Sequence, residues 1–236
     1  MRERPTPVLV HSPLVGPSSW RPVAAALRAR GYATVVPSLS PVLGSRDGWY
    51  PRMAAAVAHE VARHGGAGRT VLVAHSGAGA LLPAVAEATA APVVGAVFVD
   101  ALLPHPGRGW TSTVPEALRE RLRGLVRDGL LPPWDEWFPP GTVEELLPDP
   151  RMYARFRAEL PHVPWAFLEE PAPEVPDLPP SRCAYLRLSE AYEAETQEAE
   201  RRGWAVARHA AHHLAPLTAP QEVGAALEAL LDRLGH

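Results

Sequence analysis

The 236-residue sequence contains no lysine, no isoleucine and no asparagine, and only one cysteine, Cys183. Without lysine there is no P-loop, whose lysine must reach the phosphates of a bound nucleotide. A single cysteine excludes an intramolecular disulfide and a thiol cluster for a structural metal, so Cys183 reads as a small buried hydrophobe. The three missing residue types have AT-rich codons, which points to a GC-rich, bacterial genome. Charge is also scarce: a formal net charge of -3 leaves no basic footprint, and nucleic acid is excluded as a partner. No apolar run reaches membrane length without a charge or proline, and the apolar run Val8-Leu9-Val10 after Pro7 is too short for a signal peptide. The expectation is a soluble, cytoplasmic protein with no membrane partner. A glycine-rich dinucleotide fingerprint and an HExxH motif are both missing, so no cofactor and no metal are expected.

What is abundant is proline, with 28 residues against a usual share of about 5%. The length and an apolar content of 47% are enough for one domain with a sizeable core. Short apolar runs alternate with alanine-rich segments of helical period, the pattern of parallel strands joined by crossover helices. Strands are predicted over 7–11, 33–36, 70–74, 93–99, 184–188 and 205–208, and helices over 19–30, 51–64, 77–89, 192–202 and 220–234. The fold class is therefore α/β, with a mostly parallel central sheet of about six strands flanked by helices. Gly65-Gly66-Ala67-Gly68 reads as a helix C-cap and connecting loop.

The alternation fails between Leu103 and Pro180, where 16 of the 28 prolines gather with Trp110, Trp134, Trp137 and Trp165. Helices are predicted there over 115–128, 142–147 and 149–160, with Pro-Pro pairs as breakers. So much aromatic surface is poorly suited to a solvated linker. The reading is a core of residues 1–102 and 181–236 carrying an inserted helical cap at 103–180.

The strongest chemical signal is Thr70-Val71-Leu72-Val73-Ala74-His75-Ser76-Gly77-Ala78-Gly79-Ala80, a buried strand turning sharply at Ser76 into a helix. A nucleophile held on such a turn needs small residues two before and two after it, because strand and helix backbones come close; here these are Ala74 and Ala78. Ser76 also opens a helix, where free N–H groups favour developing negative charge and the Gly77 N–H is placed for an oxyanion.

With this elbow, Val8-Leu9-Val10-His11 before Trp20, Phe98-Val99-Asp100 ending a strand, and His213-Leu214 with Pro220 seven residues after the histidine, the chain resembles the α/β-hydrolase fold superfamily. The resemblance spans essentially the whole chain. It is nearest to compact capped members such as methyl-ester esterases and hydroxynitrile lyases, and it implies a Ser-His-acid triad. His213 matches the place of the base, in the loop after the last strand; His209 and His212 share that loop without an assigned role. Most relatives carry the acid after the strand that follows the cap, where Glu190 stands. A minority, including some haloalkane dehalogenases, carry it one strand earlier, where Asp100 stands. Both remain open, with Asp100 first.

Relatives also carry His-Gly-x after the first strand, the N–H of x being half of the oxyanion hole. Here the loop is His11-Ser12-Pro13-Leu14, and Pro13 has no N–H. The second donor is then Leu14 or the Ser12 hydroxyl, or the reaction needs little oxyanion stabilisation. His75, Pro13 and the four cap tryptophans are expected around the substrate pocket.

The leading expectation is a serine-dependent hydrolase or acyl-transfer enzyme for a small hydrophobic or aromatic ester, lactone or thioester. A non-hydrolytic lyase or cyclase on the same scaffold is the alternative, and a non-catalytic ligand-binding protein the second. The arginines at 119, 121, 123 and 127 read as a solvated face, with an acyl carrier protein as their alternative partner.

Overall fold

A computed structural model describes residues 4–64, 68–176 and 178–234. Residues 65–67 of the expected glycine-rich loop lie outside the described residues. In chain order the elements are β1 (Thr6–Val10), α1 (Arg21–Ala29), α2 (Trp49–His64), β2 (Thr70–Ser76), α3 (Leu82–Ala88) and β3 (Val93–Ala101). The next segment holds α4 (Glu116–Arg123), β4 (Leu130–Leu131), α5 (Thr142–Leu146), α6 (Pro150–Arg157), β5 (Val163–Pro164) and α7 (Trp165–Glu169). The chain then completes the sheet with β6 (Cys183–Arg187), α8 (Glu193–Arg201), β7 (Ala205–Arg208), α9 (Ala215–Thr218) and α10 (Pro220–Leu234).

Five strands form a wholly parallel sheet in the order β1-β2-β3-β6-β7. Its central strands are apolar on both faces because each face meets a helical layer. Along β2 and β3 the side chains alternate between two cores: Leu72, Ala74, Ala96 and Phe98 face α2, α3 and the segment between β3 and β6, while Val71, Val73, Val97 and Val99 face α1 and α10. This alternation fixes the register, since a one-residue slip would exchange the two sets.

The strand expected over 33–36 is reduced to one parallel bridge, Val8 to Val35, beside β1. Pro37 follows at once and can give no N–H to a ladder, so the edge pairing stops after the Val35 N–H bonds Pro7 and its carbonyl receives Leu9. The helix expected over 77–89 begins as a 3₁₀ turn, Gly77–Leu81, before α3. At Gly79 a Cβ would lie 1.8 Å from the Leu102 carbonyl oxygen, so the small residues after Ser76 are required by the β3 backbone beside them.

The segment between β3 and β6 packs on the sheet core through Trp137, Val163, Trp165 and Phe167. A third apolar cluster, with Val15, Val143, Leu147, Phe156, Leu214 and Leu217, ties α5 and α6 to the loops at the C-terminal ends of the strands. Among the described residues no helix is long and apolar enough to cross a membrane.

Candidate active site

Ser76 ends β2 with φ 57° and ψ -129°, a left-handed conformation that a non-glycine residue rarely adopts. The neighbouring strand β3 repeats the device at Asp100, φ 41°. Two strained residues at the same end of adjacent parallel strands are what a functional site on this architecture stores.

The backbone twist at Asp100 carries its buried carboxylate across to the loop after β6. Oδ1 accepts the Leu188 N–H at 2.6 Å and the Ser189 N–H at 3.0 Å, and Oδ2 accepts the Ser189 hydroxyl at 2.6 Å. His213 Nδ1 lies 3.2 Å from Oδ2. Asp100 can only accept when ionised, so the imidazole carries its proton on Nδ1 and leaves Nε2 as a base. Burial pushes the Asp100 carboxyl up, but the hydrogen bonds from His213, Ser189 and Leu188 outweigh it and hold it below the usual range.

Aromatic rings on both sides fix the His213 imidazole. His75 stacks on it with centroids 4.4 Å apart and bonds the His213 carbonyl through Nε2 at 3.0 Å. Burial, reinforced by the charge of His213, lowers the His75 pKa to about 3, so it stays a neutral donor. Tyr192 stacks on His213 at 5.0 Å with rings within 8° of parallel, and its hydroxyl lies 3.4 Å from Ser76 Oγ. Burial raises the Tyr192 phenol, which therefore keeps its proton.

Glu190 has a side chain 87% exposed and pairs with Arg187 at 2.6 Å. The geometry thus joins His213 to Asp100 and ties Glu190 elsewhere. Of the neighbouring histidines, His212 accepts the Leu214 N–H through Nδ1 at 3.2 Å and meets Thr218 through Nε2.

In the first loop the Leu14 N–H donates to Ser12 Oγ at 3.2 Å, and the Ser12 carbonyl accepts from His11 Nδ1. His11 Nε2 accepts the Leu39 N–H, and burial lowers this histidine to about 4. Ser12 Oγ is 3.2 Å, and Pro13 Cδ 3.7 Å, from where a Cβ on Gly77 would lie, so loop and elbow face each other. The cleft there is lined by Ser12, Leu14, Val15, His75, Ser76, Trp134, His213 and Leu214 and has a volume of about 10 Å³, room for about one water. Of the four tryptophans only Trp134 lines it. Trp110, Trp137 and Trp165 pack against the sheet core, Trp137 donating its indole N–H to the Pro132 carbonyl. Tyr192 carried no mark in the sequence; its position just past the C-terminal end of a sheet strand, where such sheets bind ligands, was the available signal.

The pattern of the alpha/beta hydrolase family matches residues 8–226. The chain belongs to that family. No protein of curated function matches it. An extracellular alpha/beta-hydrolase from a Paenibacillus species, described as sharing homology with tobacco salicylic acid binding protein 2, has TM-score 0.75 and 16% identity over 96% of this chain and 98% of its own. A pyrethroid hydrolase from Sphingobium faniae has TM-score 0.64 and 20% identity, covering 97% of each chain. Tomato methylketone synthase I, complexed with 2-tridecanone, has TM-score 0.69 and 15% identity over 98% of this chain and 99% of its own. This α/β-hydrolase is accordingly an enzyme of a family whose solved members include esterases and hydrolases.

Proposed function

We propose that this α/β-hydrolase cleaves a small, uncharged, apolar or aromatic ester, lactone or thioester through an acyl-enzyme on Ser76. The observation that carries the reading is the pairing of a serine on a strained elbow with a histidine whose Nδ1 is bound to buried Asp100. His213 Nε2 takes the Ser76 proton as Oγ adds to the carbonyl carbon, and the carbonyl oxygen becomes the oxyanion. The Gly77 N–H and the Ser12 hydroxyl stabilise it. Collapse breaks the bond to the leaving alcohol or thiol, which receives the proton from His213. Water, deprotonated by the same imidazole, then adds to the acyl group and releases the acid and Ser76. The Asp100 carboxylate holds the imidazole in the productive tautomer throughout.

The apolar wall of Leu14, Val15, Trp134 and Leu214 supports an apolar acyl or alcohol group. The names of the solved relatives point the same way, one a pyrethroid hydrolase and one holding 2-tridecanone. The 103–180 segment serves in this reading as the roof, with Trp134 its contribution to the cleft. The four arginines at 119–127 engage Glu116, the Trp137 carbonyl, Glu169 and local carbonyls, which favours an internal structural role over carrier docking.

A fluorophosphonate probe labels the wild type at Ser76 and leaves Ser76→Ala unlabelled, and the same variant loses hydrolysis of p-nitrophenyl butyrate. Ester turnover that survives Ser76→Ala overturns the mechanism. A lyase or cyclase reading is favoured by one observation, Pro13 without an N–H beside a Leu14 N–H already bonded to Ser12. Full probe reactivity without an acyl-enzyme from any ester would support it.

A further inference from the structure

A second cavity, with a volume of 280 Å³, lies behind the apolar wall of the serine cleft. Trp134, which lines the cleft, packs edge-on against Phe156, which lines the cavity, with centroids 6.3 Å apart. Its floor is apolar: Pro22 of α1, Met152 and Phe156 of α6, and Leu217 of α9. Its rim is polar and net positive, with Arg21, Arg151 and Arg155 against Asp149, and with Ser18.

The rim arginines are arranged differently from the others on α6. Arg157 pairs with Asp135 at 3.1 Å and Glu136 at 3.4 Å. Arg151 and Arg155, four residues apart and so on one face of the helix, have no ion pair or side-chain hydrogen bond among the described residues. Like charges at this spacing repel, and Arg151 stands in the first turn of α6, where the helix dipole disfavours a cation. Arg155, in the last turn, is favoured by the same dipole, so Arg151 is the charge from which the helix gains nothing. The nearby carboxylates are committed: Asp149 Oδ1 caps the Arg151 N–H at 2.9 Å, and Glu159 takes Arg21 at 3.5 Å and the Ser18 N–H at 2.7 Å. An apolar floor below a net positive rim fits a ligand with an apolar body and one anionic end.

We propose that this cavity is a binding site for a small amphipathic carboxylate, separate from the serine cleft. The apolar body lies on Met152, Phe156 and Leu217, and the carboxylate is held between Arg151 and Arg155, whose planar guanidinium groups suit it. Leu217 and His213 lie on adjoining segments, α9 following the histidine loop directly, and the cavity shares no lining residue with the cleft.

Calorimetric titration of the full chain with octanoate, and with 1-octanol as the uncharged control, tests the site. Octanoate is expected to bind saturably to the wild type and at least tenfold more weakly to Arg151→Ala/Arg155→Ala, which replaces exposed side chains by a good helix former. Met152→Trp fills the floor and is expected to remove binding while circular dichroism stays unchanged. Absence of saturable octanoate binding, equal binding of 1-octanol, or octanoate affinity unchanged in the double arginine variant would each overturn the proposal.

Discussion

The Tyr192 hydroxyl lies 3.4 Å from Ser76 Oγ while its ring covers one face of the His213 imidazole. When Ser76 donates in this contact, the phenol oxygen competes with the imidazole Nε2 for the serine proton. When the phenol donates instead, the serine proton stays free for Nε2. Tyr192→Phe keeps the stacking ring and removes the competitor. A hydrogen bond of about 1 kcal/mol corresponds to roughly fivefold in rate, so fluorophosphonate labelling of Ser76 is expected to accelerate by up to that factor. Tyr192→Ala also removes the wall beside His213, and its labelling is expected to be slower than that of the wild type. Slower labelling in both variants would assign the hydroxyl a helping role instead.

Asp100 and Glu190 separate cleanly under substitution. Asp100→Asn retains size but replaces an acceptor with an amide that cannot satisfy Leu188, Ser189 and His213 together. Loss of the orienting carboxylate in a serine triad lowers kcat by about 10⁴-fold, and that is the loss expected for ester hydrolysis, together with a lower Tm from the unsatisfied buried amides. Glu190→Gln removes the charge of an exposed carboxylate, while its largely buried partner Arg187 keeps the Glu193 pair at 3.2 Å, and both kcat and Tm are expected to stay near wild type. A large kcat loss in Glu190→Gln with little in Asp100→Asn would reverse the assignment.

The division between what was legible in the sequence and what was not follows contact range. Strands β2 and β3 are uninterrupted apolar runs, and α10 matches its expected span because both a proline start and a 3.6-residue period are local signals. Ser76 and His213 also announce themselves locally, one by small neighbours at a turn, the other by place near the C-terminus. The choice of acid is not local. It depends on the Asp100 carboxylate meeting the amides of Leu188 and Ser189, nearly ninety residues away in sequence. The two-residue pairing of β4 with β5 has no period to read, and α7 is five residues between proline-rich stretches. Three of the four tryptophans stand as well for core packing as for a pocket wall, and only the packing of the β3–β6 segment on the sheet separates them.

The first loop poses a sharper question at Ser12. Its hydroxyl accepts the Leu14 N–H and faces Gly77, leaving its own proton to donate towards the elbow. One oxyanion donor is worth roughly 3 kcal/mol, a hundredfold or more in rate. Ser12→Ala is therefore expected to lower kcat for p-nitrophenyl butyrate about a hundredfold with KM little changed, since the donor acts on charge that develops only in the transition state. An unchanged or increased kcat would transfer the role to the Leu14 N–H, which the substitution releases.

Acid stability rests chiefly on His11 and His75, the most deeply buried of three buried histidines among the described residues, with His105 also lowered by burial. The folded-state pKa of His11 is lowered from 6.5 to about 4, chiefly by burial, and that of His75 to about 3. The unfolded chain thus binds protons first as pH falls through 6.5. Their contribution to stability is complete above that pH and is lost progressively below it, until the folded pKa values are reached. Each histidine that titrates only in the unfolded chain removes roughly 1.4 kcal/mol per pH unit. Between pH 6 and pH 4 the two together lower stability by a few kcal/mol, a sizeable share of a domain's margin of about 5 to 15 kcal/mol. Asp100, lowered in the folded state, adds a loss of the same sign below its unfolded value of 3.8. Urea titrations from pH 7 to pH 4.5 are expected to show a midpoint that falls steeply below pH 6 with an unchanged m-value. His11→Gln keeps an acceptor for the Leu39 N–H and a donor for the Ser12 carbonyl without the proton uptake. It is expected to reduce the slope by about half the two-histidine value, and a slope equal to that of the wild type would show that His11 is not held neutral by its burial.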